Sequence, residues 1–230
     1  MSARIAIMPA RGGSKRIKHK NVVDFCGHPL LTYPLAAARE SGLFDVIHVS
    51  TEDSRIAETA SQYGFPPDFS RDPALADDVT PLLPVLKWVL ERYAERGLVF
   101  DTVCLLMPTA PLIDADDLKG GCALFDRHGK RRAVLAAAAF PCPVEWAMRL
   151  LSDDCLVPID PGKAETRSQD LPKAYYDSGT FIFLPPAQVL AYPRERPDYL
   201  GYLLPRHKAV DIDDAEDLEL AERLYRGRRS

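Results

Sequence analysis

The stretch Ile5-Ala6-Ile7-Met8-Pro9-Ala10-Arg11-Gly12-Gly13-Ser14-Lys15-Arg16-Ile17-Lys18-His19-Lys20-Asn21 decides how the rest of the chain is read. Its first four residues are an apolar run stopped by Pro9, the pattern of a short buried strand that delivers the chain into a loop. Two adjacent glycines let that loop turn tightly and present backbone N–H groups as an anion nest, while Arg11, Lys15 and Lys20 bring cationic side chains to the same place. A triphosphate needs that combination. Neither G-x-x-x-x-G-K-[ST] nor G-x-G-x-x-G is present, so the loop is neither a Walker A loop nor a dinucleotide fingerprint.

Outward from this loop, strands and helices alternate. Leu30 to Ser41 carries good helix formers and stops at Gly42, Val46 to Val49 reads as a strand bounded by Ser50-Thr51, and Asp53 to Tyr63 is a helix ending before Gly64. Beyond a Pro/Asp-rich loop from Pro66 to Asp78, Thr80 is placed to cap a helix with Pro81 at its first position, and Leu82, Leu83, Leu86, Val89, Leu90 and Tyr93 recur at helical spacing. Thr102 to Leu106 is the next strand, Asp114 to Arg127 the next helix, and Ala133 to Ala139 a strand of small residues. Such alternation predicts a mostly parallel sheet with helices on both faces and ligands at the carboxyl ends of the strands.

The rhythm breaks between Pro141 and Tyr176, which is expected to be a dimerisation arm inserted into a single domain spanning residues 1–230. Val144, Trp146, Leu150, Leu151, Leu156 and Val157 come in apolar bursts that a lone arm cannot bury, and Lys163 or Arg167 would then reach the partner's site. Thr180 to Leu184 returns to strand, Tyr202 to Leu204 reads as an edge strand, and Asp214 to Tyr225 is a terminal amphipathic helix.

The chain has 230 residues, 47% hydrophobic and 27% charged, enough for a globular domain with its own core. Its 29 Lys plus Arg against 33 Asp plus Glu give a net charge of −4, which argues against a nucleic-acid binder yet allows a local cluster to hold a small anion. Cys26, Cys104, Cys122, Cys142 and Cys155 form no C-x-x-C pair and read as reduced, small apolar fillers in a cytoplasmic protein. No apolar stretch is long enough for a membrane span, and no basic-then-apolar leader opens the chain. His19, His28 and His48 read as ordinary loop or strand-edge residues rather than bases. Trp88 and Trp146 read as core or interface.

A second cluster lies near the C-terminus: Val210-Asp211-Ile212-Asp213-Asp214-Ala215-Glu216-Asp217. In an extended segment Asp211 and Asp213 point to the same side about 7 Å apart along the chain. They are hard oxygen donors suited to Mg²⁺ beside substrate phosphates. Asp214 is placed as the N-cap of the last helix, with Asp217 at its third position.

Together with Val49-Ser50-Thr51-Glu52-Asp53, Ala76-Asp77-Asp78 and Pro108-Thr109-Ala110-Pro111-Leu112, these segments resemble the nonulosonate cytidylyltransferases, the CMP-sialic acid synthetase family, over almost the whole chain and in order. Within that family, Leu75-Ala76-Asp77-Asp78, Phe140-Pro141-Cys142-Pro143, Arg167-Ser168-Gln169-Asp170-Leu171 and Ala174-Tyr175-Tyr176-Asp177-Ser178-Gly179 most resemble the pseudaminic acid cytidylyltransferases. The resemblance implies an α/β, Rossmann-like mostly parallel sheet of nucleotidyltransferase type. It implies the reaction of CTP with a nine-carbon 2-keto acid sugar to give the CMP-sugar and pyrophosphate.

Carried over by position, Arg11 and Lys15 would hold the β and γ phosphates, Lys20 would approach the α phosphate, and Asn21 would bond the ribose. Ala10, Gly12, Gly13 and Ser14 would complete the nucleotide loop, with Asp78 and Thr80 near the cytosine. Asp211 and Asp213 would hold Mg²⁺, and Met107, Thr109, Gln169, Tyr176 and Asp177 would face the sugar. Many sialic acid members carry Gln where this chain has Met107, and a thioether cannot replace an amide's hydrogen bonds. The resemblance therefore points to a less hydroxylated, 9-deoxy nonulosonate. The alternatives are a ketodeoxyoctonate or N-acetylneuraminate cytidylyltransferase, or a non-catalytic nucleotide-sensing domain.

Overall fold

In a computed structural model describing residues 3–77, 79–193 and 198–228, the first strand, β1 (Arg4–Pro9), is buried on both sides. It is followed by two two-residue strands, β2 (Asp24–Phe25) and β3 (His28–Pro29), then α1 (Thr32–Ser41), β4 (Val46–Ser50), α2 (Ser54–Gln62), α3 (Leu82–Ala94), β5 (Thr102–Leu106), α4 (Ala115–Arg127) and β6 (Ala133–Ala139). The arm contributes β7 (Met148–Leu150) and β8 (Leu156–Pro158), and the chain ends with β9 (Tyr175–Leu184), α5 (Pro186–Leu190), β10 (Tyr199–Leu203) and α6 (Ala215–Gly227).

The main sheet has six strands in the order β10-β6-β9-β5-β1-β4. Pairs β1–β4, β1–β5 and β10–β6 are parallel, and β9 alone runs against both its neighbours. The period-two alternation of β1 sorts its side chains between two cores: Ala6 and Met8 pack with α1, α2 and α4, while Ile5 and Ile7 pack with α3 and α5. Helices therefore cover both faces, as the alternation predicts. A third cluster, built on Phe25, Leu30, Leu112, Ile212 and Ala221, seats α6 against the β2–β3 hairpin.

Most helix ends obey local signals. Gly42 and Gly64 end α1 and α2 with φ of 64° and 84°, and Asp114 and Asp214 each form a capping box with the aspartate three residues on. Thr80 does not cap α3. Pro81 takes the N-cap position, and the Asp77 carboxylate accepts from the Val79 and Thr80 amides, so an Asx turn ends the preceding loop instead.

Three further expectations need correction. The strand expected at Thr180 starts at Tyr175, because Tyr175 and Tyr176 pair with Ala139 and Ala138. The arm thus runs from 141 to 174, its neck closed by the Phe140 amide donating to the Ala174 carbonyl at 3.1 Å. The edge strand begins at Tyr199, not Tyr202. Cys142 and Cys155 are exposed on the arm and fill nothing, whereas Cys104 and Cys122 are buried.

His48 is fully buried in β4. Its Nδ1 lies 3.2 Å from the Tyr93 hydroxyl, which donates to Asp68, and its Nε2 has no hydrogen-bond partner among the described residues. Burial depresses its pKa from 6.5 to about 4 despite nearby Asp68. The unfolded chain then binds more protons than the folded one between these values, so stability should fall as pH drops from about 6.5 to about 4, by about 3 kcal/mol at most. A His48→Gln variant should show a flatter pH dependence of Tm across that window, and parallel profiles would remove His48 from the account.

Candidate active site

A cleft of about 570 Å³ opens where β1 and β5 end, between Pro9 and the Met107-Pro108-Thr109 segment. Arg11, Lys15, Arg16, Lys20 and Arg71 line it, facing Asp77, Asp211 and Asp213. Ser14, Asn21 and Thr80 also line it, as do apolar Leu75, Leu82 and Val85. Among the described residues five cations against three carboxylates make the cleft net positive within an acidic chain, a field that attracts a polyphosphate.

The glycine-rich loop is held by its own backbone. The Ala10 amide donates to the Ser50 carbonyl at 2.9 Å, the Gly12 amide to Glu52 Oε1 at 2.8 Å and the Ser14 amide to the Gly12 carbonyl at 3.0 Å. A side chain on Gly12 would collide with the Asp53 carboxylate. Gly12 thus packs the loop onto the start of α2, and its amide serves Glu52 rather than the nest expected of it. Ala10 is buried, and neither it nor Gly12 nor Gly13 lines the cleft. Buried Asn21 donates through Nδ2 to the Arg11 carbonyl at 2.9 Å, and Arg11 donates to the Asp77 carbonyl at 2.9 Å.

Asp211 and Asp213 both reach the cleft, with Ile212 between them buried in the third cluster. Lys20 Nζ donates to the Ile212 carbonyl at 2.7 Å and to Asp213 Oδ1 at 3.1 Å, and Arg16 approaches the same Oδ1 at 2.7 Å. Burial pushes the Asp213 carboxyl up, but hydrogen bonds from Lys20 and Arg16 outweigh it and hold it below the usual carboxylate range. Burial pushes Asp211 above that range, and the Thr109 hydroxyl only partly offsets this.

Asp211 packs directly against β9. Between Leu135 and Ala137 the β6–β9 register slips, so that Ser178, Gly179, Thr180 and Phe181 stand opposite Ala136 alone. Ser178 Oγ donates to the Ala136 carbonyl at 2.7 Å, and the Met107 amide donates to the Thr180 carbonyl at 2.9 Å. Gly179 has a φ of 63°, and a Cβ there would lie 2.5 Å from Asp211 Oδ2. The bulge therefore presses bare backbone against the carboxylate.

The donor set fits Mg²⁺. Asp211 and Asp213 both line the cleft, and among the described residues no group of three or more His, Cys, Asp or Glu is placed to hold a metal on its own. Two carboxylates that leave the remaining positions to phosphate and water suit Mg²⁺ better than a closed cage.

Sequence reasoning missed Arg71. It is 3% exposed, bonded through Nε to Ser50 Oγ at 3.1 Å and 3.9 Å from Glu52, and it lines the cleft. An arginine in a Pro/Asp-rich loop carries no periodic signal. Its partners lie some twenty residues upstream, so only the fold shows it.

Other expected residues lie elsewhere. Gln169 is exposed in a short turn of the arm, Tyr176 packs on Phe140, and Asp177 accepts from the Gly179 amide at 2.9 Å. None of the three lines the cleft. Asp78 lies outside the described residues. His19 contacts Arg55 and His28 contacts Tyr63, and among the described residues no histidine lines the cleft.

The cytidylyltransferase family model matches residues 5–213. The chain is 37% identical over 226 residues to the pseudaminic acid cytidylyltransferase of Campylobacter jejuni subsp. jejuni serotype O:2, covering 96% of both chains. It is 27% identical over 219 residues to the N-acylneuraminate cytidylyltransferase of Escherichia coli O18:K1:H7, covering 94% of this chain and 51% of that one. In fold it matches the CMP:2-keto-3-deoxy-manno-octonic acid synthetase complexed with CTP, with a TM-score of 0.72 at 16% identity over 99% of this chain and 100% of that one. A glycine-rich basic loop joined by Lys20 to a paired-aspartate segment, on a sheet of this order and over this extent of similarity, places the chain in the cytidylyltransferase family.

Proposed function

We propose that this cleft transfers CMP from CTP to the anomeric hydroxyl of a nonulosonic acid, pseudaminic acid or a related 9-deoxy sugar, and releases pyrophosphate. The observation that carries the reading is the meeting of the cationic loop with Asp211 and Asp213 in one cleft. The relatives' names support the substrate class.

In the reaction the anomeric oxygen attacks the α-phosphorus in line. The O–P bond forms as the bond to the bridging oxygen breaks, pyrophosphate departs, and the hydroxyl proton passes to solvent. In this reading Arg11 and Lys15 take the β and γ phosphates, Lys20 the α phosphate, and Asn21 and Thr80 the nucleoside. Arg71 adds a buried charge behind them. Asp211 and Asp213 would hold Mg²⁺, which when bound lowers the pKa of the attacking hydroxyl and screens the phosphates. The rest is alignment and charge neutralisation, so no side-chain base is required.

The arm's covering is the second part of the proposal. Val144, Trp146, Leu150, Leu151, Leu156 and Ile159 are all exposed, with Leu150 at 63% and Leu156 at 59%. A second copy would cover them and carry Lys163 or Arg167, with Gln169 nearby, toward the neighbouring cleft. No helix among the described residues is long and apolar enough to cross a membrane. The five cysteines are all unpaired, which supports action in the cytoplasm.

Three outcomes test the reading. Arg11→Ala and Lys20→Ala should each lower pyrophosphate release about a hundredfold with the fold intact by circular dichroism, and Asp211→Asn and Asp213→Asn should abolish the Mg²⁺-dependent rate while CTP binding is only weakened. Near-wild-type turnover in the first pair would end the phosphate assignment. Light scattering at micromolar concentration should give twice the mass of one chain, and a monomer would overturn the arm's role.

Finally, Met107 gives the cleft an apolar wall, and an unpaired buried hydroxyl costs about 1–3 kcal/mol. The kcat/KM should therefore favour pseudaminic-type sugars over N-acetylneuraminate by roughly ten- to a hundredfold, and Met107→Gln should narrow the gap. Equal values for the two sugars in the unmodified enzyme would overturn the choice.

A further inference from the structure

Two cations share Asp213 Oδ1, and they are held very differently. Lys20 has a second tie to the Ile212 carbonyl at 2.7 Å and a side chain only 17% exposed, so it is part of the framework. Arg16 has a side chain 62% exposed, at 2.7 Å from the same oxygen. Its backbone is anchored next door by Ile17, which packs against the third cluster, and Arg16 lines the cleft with most of its side chain in solvent.

We propose that Arg16 is an internal counter-cation that competes with a divalent metal for Asp213 and is drawn off by the triphosphate, so that metal and nucleotide enter together. This rests on the reading of Asp211 and Asp213 as metal ligands. A carboxylate oxygen that accepts two cations at these distances has little capacity left for a third. An exposed ion pair is weak, whereas a guanidinium matches a phosphate's oxygens with two parallel hydrogen bonds. A polyphosphate arriving beside Arg11 and Lys15 therefore offers Arg16 the better partner. Its departure leaves Lys20 as the one cation of the two on Asp213 Oδ1, at the moment the phosphates supply the other ligands a metal needs. Arg16 acts through Asp213 and is a positioning residue.

The test measures Mn²⁺ binding to the full chain without nucleotide, by the loss of the free-ion electron paramagnetic resonance signal, in the unmodified protein and in Arg16→Gln, Arg16→Lys and Asp213→Asn. Arg16→Gln should tighten Mn²⁺ binding by about two- to fivefold, the range an exposed pair supports, and Arg16→Lys should return it toward the unmodified value. A merely structural role would weaken binding or leave it alone. Unchanged or weaker binding in Arg16→Gln, with binding lost in Asp213→Asn, would overturn the role of Arg16 and leave the metal reading standing. Undiminished binding in Asp213→Asn would overturn the metal reading and this proposal with it.

Discussion

The grip of Lys20 on the Ile212 carbonyl and the Asp213 carboxylate joins the first loop of the chain to its last, across 192 and 193 positions. Hydrogen bonds to a charged donor are worth about 1.5–3 kcal/mol, and this ammonium is mostly shielded from water. Three local devices hold its partners in place. Ile212 is buried in the third cluster, its amide donates to the Thr109 carbonyl at 3.2 Å, and the capping box of Asp214 fixes the start of α6 directly afterwards. The acid segment has no regular structure of its own, so its place beside the loop depends on these ties.

The remaining groups show how little of the cleft is left to move. Arg11 rests on the Asp77 carbonyl, Asn21 on the Arg11 carbonyl, and Arg71 on Ser50 and Glu52. Each contact is a side chain bonded to a fixed neighbour, which lowers the ordering cost when a polyanion arrives. Preorganised charge of this kind is what a displacement at phosphorus requires.

Features governed by near neighbours were legible in the sequence. The apolar run of β1, the glycines ending α1 and α2 and the box at Asp214 and Asp217 each need only a few adjacent residues, and the Gly-rich loop and the paired aspartates were read directly. What escaped reading has its cause at a distance. The start of β9 is hidden because Asp177-Ser178-Gly179 is a poor strand sequence, made one by pairing with β6. Thr80 does not cap α3 because the helix starts one residue later than its pattern suggests, with Pro81 at the N-cap. Arg71, the partner of Arg16 and the engagement of the Gly12 amide by Glu52 all depend on contacts between segments that local pattern does not connect.

The bulge at Gly179 makes positions 179 and 211 a pair without a second solution. In many packed contacts a larger residue on one side can be matched by a smaller one on the other, and a lineage can drift between the two arrangements. Here neither side has anywhere to go. Glycine is already the smallest residue, and aspartate already carries its carboxylate on the shortest possible stem. Any gain in bulk at 179 must displace the charge at 211, and any lengthening at 211 must run into the backbone of β9. Two residues 32 positions apart are thereby fixed together, although only one of them lines the cleft.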